Sequence, residues 1–297
     1  MIYDCFTFFN ELDLLEIRLN ELSPVVDKFV LVEADRTFTN EKKSFSFEEN
    51  RERYKQFHEK IIHIKISEYT QESCLNAWYM EFYQRNKIGD GLQNCQDDDI
   101  ILISDIDEVP NTDEIINYKK GKYGSGLYCL RQTFFYYFLN YRNVFKYFYM
   151  AKILTFSEYL NGNWTPQKLR DANNNVRMIK NGGWHFSFLG GYETIIYKVK
   201  SFAHQEFNND KYLNEGMIEK IKKGYDIFDR KNYRFVPVEI KKSKFPEYIF
   251  NNQEKYKHLI YSDVNCFRNI FLYFTIYIRY IPRRIKAKLF KILGVKK

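Results

Sequence analysis

The sequence predicts an α/β fold with a mainly parallel, doubly wound central sheet, on three observations. Short apolar runs rich in β-branched residues recur through the first hundred residues and read as buried strands. Segments with helical spacing lie between them, the alternation that yields parallel strands joined by crossover helices. The chain of 297 residues is long enough to bury a large core, and no repeat or Pro/Ser-rich linker divides it.

Ile2–Phe9 is the first strand, and Leu12, Leu15, Ile17, Leu19 and Leu22 then mark a helix with an inward apolar face. Asp27–Ala34 is a second buried strand that delivers the carboxylate of Glu33 near its end. Glu49–Tyr54 reads as helix, Ile61–Ile66 as a third strand, and Gln71–Lys87 as a longer helix carrying Trp78, Glu81, Gln84 and Arg85. The stretch Asp97–Pro110 organises the rest. Its middle, Ile100–Ile103, is an unbroken apolar run, and Asp105, Asp107 and Glu108 follow at its carboxyl end before Pro110 stops further pairing. Thr112-Asp113-Glu114 is expected to cap the next helix.

Beyond Tyr123 the chain becomes aromatic, and Leu127–Tyr141 reads as two strands or a strand and an extended segment. Asn161–Asn181 is polar and rich in Asn and Gly, which predicts a mobile loop beside the site. In Gly182–Glu193 glycines flank aromatic and ionisable residues, so backbone can approach a ligand closely. Helices are expected at Tyr192–Phe202 and Leu213–Gly224, and a peripheral helix or loop at Lys241–His258.

Ligands of open α/β sheets bind at the carboxyl ends of strands. Two carboxylates spaced as Asp-x-Asp can share one hard cation, which keeps positions open for phosphate oxygens. The same spacing also arises in solvated turns, so the buried strand in front of Asp105 carries the argument.

Five scattered cysteines with no Cys-x-x-Cys pair argue against a disulfide framework or structural zinc. The first residues lack the basic and apolar regions of a signal peptide, and a cytoplasmic location is expected. The net charge of +8 misleads as an average: Val264–Lys297 holds nine of the 46 Lys and Arg and no acid, leaving 37 basic against 38 acidic residues elsewhere. Nucleic-acid binding is not expected, because the working face carries no excess of positive charge. After Pro282, residues Ile285, Leu289, Phe290, Ile292 and Leu293 can share one helical face with lysines and arginines elsewhere. Such a tail would lie on an anionic membrane surface, here the inner face of the cell membrane. The apolar run between Arg268 and Arg279 is too short for the ~20 residues of a spanning helix. The expected organisation is therefore one domain over 1–262 and a basic amphipathic helical extension over 263–297.

Four stretches in order resemble glycosyltransferase family 17: Tyr3–Phe6 with Phe9–Asp13, Phe29–Ala34 with Thr37-Phe38, Ser104–Pro110, and Gly183–Ser187. The resemblance covers roughly residues 3–260 and implies a GT-A type, Rossmann-like domain. It further implies a nucleotide-sugar donor such as UDP-GlcNAc, Mn²⁺ or Mg²⁺, a glycan or glycolipid acceptor and inversion at the anomeric carbon. Asp107 is then expected on the metal, with Asp105 on the metal through water or on the ribose. His185 or His204 would complete the metal site, His185 being favoured because it lies in a matching stretch. Glu193 heads a helix after a glycine turn, as the general base does in several GT-A families; Glu108 and Glu206 are the alternatives. Donor contacts are expected from Phe8, Asn10, Glu11, Glu33, Gln84 and Arg85, and acceptor contacts from Trp184, His204 and Glu206. Two competing readings are metal-dependent phosphoryl transfer with Asp105 as nucleophile, and a non-catalytic membrane-surface protein acting through its tail.

Overall fold

The computed structural model describes residues 1–174 and 176–264. The basic extension expected over 263–297 thus lies, but for its first two residues, outside the described residues. Four parallel strands form one half of the sheet: β1 (Ile2–Phe8), β2 (Lys28–Ala34), β3 (Ile61–Ile66) and β4 (Ile100–Asp105), in the order β3-β2-β1-β4. They match the four runs picked out in the sequence, and β1, β2 and β4 are buried along almost their whole length, as strands covered on both faces require.

The second half is mixed. β8 (Lys152–Thr155) runs antiparallel to β4 and to β6 (Tyr128–Tyr136), and β7 (Tyr141–Phe148) and β10 (Phe235–Pro237) continue the sheet antiparallel. The 11-residue β9 (Arg177–Ser187) pairs parallel with β6 and antiparallel with the three-residue β5 (Glu108–Pro110). β9 thus reaches back to the turn that leaves β4.

Side chains alternate along β1 and β4 as the pleat requires. Ile2, Phe6, Ile100 and Leu102 pack with α1 (Leu12–Leu22), whereas Tyr3, Cys5, Ile101 and Ile103 form the opposite layer with Ile88 and Leu169. The same alternation turns Ser104 toward α1 and Asp105 toward α3 (Ala77–Asn86) and α6 (Pro166–Asp171). Other helices are α2 (Ser46–Glu49), α4 (Thr112–Lys119), α5 (Phe156–Asn161), α7 (Gly191–Ser201), α8 (Gly216–Lys222) and α9 (Glu247–Asn251).

Local chemistry explains where the expected boundaries moved. The long helix predicted at Gln71–Lys87 begins only at Ala77, because the Asn76 side chain accepts the N–H groups of Trp78 and Tyr79. Asn111, one residue before the expected cap, closes α4 by accepting the N–H of Asp113. Asn161–Asn181 is not one loop. Thr165 caps α6 and Pro166 occupies its first turn, after which the chain enters β9.

Candidate active site

Arg18 holds the turn that carries the acidic pair. Fully buried on α1, its guanidinium donates to both oxygens of Asp4 at 2.8 and 2.7 Å and to Ser104 Oγ at 2.6 Å. It also donates to the carbonyl oxygens of Asp105 and Glu108 at 2.7 and 2.9 Å. Otherwise unsatisfied turn carbonyls are thereby paired, and the exit of β4 is fixed against the sheet.

The two aspartates consequently meet different partners. Asp105 Oδ1 accepts from Arg85 Nη2 at 3.1 Å, and Oδ2 from Arg170 Nη2 at 2.5 Å. Burial pushes this carboxyl up, but Arg170 and Arg85 outweigh it and hold it well below the usual carboxylate range. Arg170 also bonds Glu108 through both oxygens, at 2.7 and 3.1 Å. Asp107 Oδ2 lies 3.3 Å from Lys198 Nζ, which reaches Glu11 Oε1 at 3.1 Å, and Asp107 Oδ1 lies 3.6 Å from His185 Nε2. For Asp107, burial works upward while Lys198 pulls the carboxyl below its ordinary value. For Lys198, burial works against the charge, but Asp107 and Glu11 overcome it and raise its pKa.

His185 sits opposite Glu108 in the β5–β9 pairing and stacks on Phe148, ring centroids 3.8 Å apart and nearly parallel. Burial pushes its pKa down to about 4, against the attraction of Asp107, so the imidazole is neutral near pH 7. That is the state in which histidine ligates metals. Asp107, Glu108 and His185 each offer a ligand atom within 4.8 Å of the others, and buried His185 Nδ1 has no hydrogen-bond partner among the described residues.

Asp105 and Asp107 open onto a cleft of about 240 Å³ between the strand ends of β1 and β4, α3 and α7. Of the residues expected to contact a donor, Phe8, Glu11, Gln84, Arg85 and Asp105 line it, whereas Asn10 lines a neighbouring cavity. Glu33 does not reach the cleft. It is fully buried beneath β2, where it accepts the Phe47 N–H and pairs with Lys43 and His63.

Of the residues expected at the acceptor, only His204 borders the cleft, its Nδ1 2.7 Å from the exposed Glu206. Trp184 lies away from the cleft, packed in the core and bordering a separate cavity. It packs in the layer beneath α1 and donates its indole N–H to the Lys244 carbonyl at 2.7 Å. The tryptophan at the cleft is Trp78, half-exposed and edge-on to His204. None of the expected bases stands free in the cleft: Glu193 is exposed and lines neither cavity, Glu206 lines neither and pairs with His204, and Glu108 is fully buried under Arg170.

Arg170, Lys198 and Arg18 escaped sequence reading. The Thr165-Pro166 helix start was the available sign for Arg170, since it places Arg170 one turn into α6.

The model of glycosyltransferase family 17 matches residues 1–269. The beta-1,4-mannosyl-glycoprotein 4-beta-N-acetylglucosaminyltransferase of Homo sapiens is 29% identical over 113 residues, which is 36% of this chain and 21% of that protein. Its Mus musculus counterpart is 28% identical over the same length and shares. The match thus spans about a fifth of the length of these curated relatives. Among solved structures, S. aureus TarS is similar at a TM-score of 0.41 and 12% identity, over 74% of this chain and 72% of that one. The mannosyltransferase PcManGT from Pyrobaculum calidifontis, in complex with GDP-Man and Mn²⁺, gives 0.38 and 11%, over 67% and 61%. With the family's model covering nearly the whole sequence, the chain belongs to glycosyltransferase family 17.

Proposed function

We propose that the chain is a metal-dependent, inverting glycosyltransferase that moves N-acetylglucosamine from UDP-GlcNAc to a hydroxyl of a glycan or glycolipid, in surface-glycan synthesis. The carrying observation is the set of ligand atoms at the turn that leaves β4, where Asp107, Glu108 and His185 each offer one within 4.8 Å of the others. The charges lining the cleft balance, Glu11, Glu81, Asp105 and Asp107 against Arg36, Arg85, Arg170 and Lys198, so an entering diphosphate adds negative charge that a divalent cation would offset.

Asp107 and His185 would hold the ion, with Glu108 behind them, and the neutral ring with its Nε2 3.6 Å from Asp107 Oδ1 suits that role. Bound there, Mn²⁺ or Mg²⁺ supplies positive charge to the diphosphate as it leaves. The protein's own groups do the remaining work. Arg85 and Arg170 fix the Asp105 carboxylate in one orientation at the cleft wall, and Lys198 adds a cation beside Asp107. Trp78 and Phe38 offer apolar surface along the cleft. The names of the curated relatives favour N-acetylglucosamine as the sugar. Phosphoryl transfer through Asp105 is disfavoured, because a carboxylate held at both oxygens by guanidinium groups is a poor nucleophile.

The proposed organisation is a catalytic domain over 1–262 and a basic tail over 263–297 that rests on the inner face of the cell membrane. Among the described residues no helix is long and apolar enough to cross a bilayer. Vesicles rich in anionic lipid should sediment the full chain but not a chain lacking Val264–Lys297.

A thermal-shift panel of nucleotide sugars, with Mn²⁺ and with chelator, tests the donor. UDP-GlcNAc with Mn²⁺ should stabilise the fold by ~2.7 kcal/mol at a hundredfold excess over its dissociation constant. No response to any nucleotide sugar with metal present would overturn the proposal.

A further inference from the structure

We propose that the cavity beside the cleft receives the acceptor sugar, and that Glu11 takes the proton of the attacking hydroxyl. The proposal rests on the donor reading of the cleft given above.

The second cavity, of about 270 Å³, lies between the start of α1, the corner joining β9 to α7, and Leu259. It is just below the ~300 Å³ lower bound of pockets for drug-sized ligands, a volume suited to a single sugar ring rather than an oligosaccharide. Its lining has the mixture that carbohydrate requires. Leu14, Phe188 and Leu189 supply apolar surface for C–H faces, while Asn10, Asp13 and Thr194 supply hydrogen-bonding groups for hydroxyls.

Among the described residues, only Glu11 and Lys198 line both this cavity and the cleft. They form the partition, joined to each other at 3.1 Å. A hydroxyl presented from the second cavity toward a sugar held in the cleft must therefore pass Glu11. Of the cleft's described carboxylates, it alone faces both sides. Asp105 is held by two arginines, and Glu108 is sealed beneath Arg170.

Glu11 is also held ready for the role. Its Oε2 accepts the N–H groups of Phe9 and Asn10 at 3.3 and 3.1 Å, and its Oε1 accepts from Lys198. An ionised carboxylate has about four lone-pair sites, so Oε1 keeps one for a further donor. In the step, the acceptor oxygen bonds to the anomeric carbon as the bond from that carbon to the diphosphate oxygen breaks. The electron pair leaves on the diphosphate, and the hydroxyl proton passes to Glu11.

Two variants of the full chain test this, with UDP-GlcNAc and Mn²⁺ as donor and the wild type's best substrate from a panel of p-nitrophenyl glycosides as acceptor. Glu11→Gln keeps the size and an oxygen for the Phe9 and Asn10 amides. It should cut turnover by about 10²–10⁴-fold, far more than it changes the donor dissociation constant. Thr194→Trp, which projects into the second cavity from α7, should raise the acceptor KM about tenfold or more without weakening donor binding. Glu11→Gln transferring at the wild-type rate, or Thr194→Trp leaving the acceptor KM unmoved, overturns the proposal while the donor reading stands. A wild type that binds no nucleotide sugar overturns that reading and this proposal together.

Discussion

Glu108 and His185 face each other across the short antiparallel pair of β5 and β9, and this pairing brings the imidazole Nε2 within 3.6 Å of Asp107 Oδ1. The backbone itself therefore determines which histidine meets the acidic turn, since β9 can pair with β5 in this register only if residue 183 passes very close to residues 109 and 110.

Gly183 permits that passage. Its φ is +142°, and a Cβ there would lie 2.2 Å from the Val109 carbonyl oxygen. Gly183→Ala should destabilise the fold by about 1–3 kcal/mol through backbone strain alone, with the steric overlap in addition. Urea titration measures it, and a midpoint equal to wild type would show that β9 can yield here.

Arg18 is expected to matter more than any cleft residue for stability. Arg18→Met leaves Asp4 buried without a counter-charge and should cost about 3–5 kcal/mol. Arg18→Lys should recover little, because an ammonium cannot span Asp4, Ser104 and the turn carbonyls together. A loss below about 1 kcal/mol in denaturant unfolding would contradict the role given to this side chain.

The buried imidazole predicts a pH dependence in metal-free protein. His185 has a pKa of about 4 in the fold against an ordinary value of 6.5, so between these values the unfolded chain binds a proton that the native chain refuses. Stability from this group is complete above about pH 6.5 and is lost as pH falls toward 4, by about 3 kcal/mol. His185→Gln should flatten that part of the stability-against-pH curve. An unchanged slope between pH 4 and 6.5 would show that the group titrates normally.

Glu193→Gln should leave turnover within about twofold of wild type, since an exposed carboxylate outside both cavities has no reach to a reacting hydroxyl. Steady-state transfer assays decide it, and a loss of a hundredfold would restore Glu193 as the base.

What the sequence made legible follows from which signals are local. β4 and its acidic exit could be read because burial on both faces demands a continuous apolar run, and the carboxylates follow directly. The pairing of His185 with that turn was legible only as a matching stretch, since strand register is non-local. Glu33 and Trp184 misled because a carboxylate at a strand end, or a tryptophan among glycines, reads alike whether it faces a cleft or the core. Arg170 and Lys198 escaped because long cationic side chains on amphipathic helices are normally solvated, and only the fold shows that these turn inward.

The central claim is that Asp107 and His185 bind a divalent cation that makes the cleft receptive to a nucleotide sugar. Calorimetric titration of UDP-GlcNAc into wild type and Asp107→Asn, each with Mn²⁺ and with chelator, tests it most directly. The wild type should bind about tenfold or more tightly with Mn²⁺ than without, and the variant should gain nothing from the metal. Equal affinity with and without Mn²⁺ in the wild type, or an undiminished gain in Asp107→Asn, would contradict it.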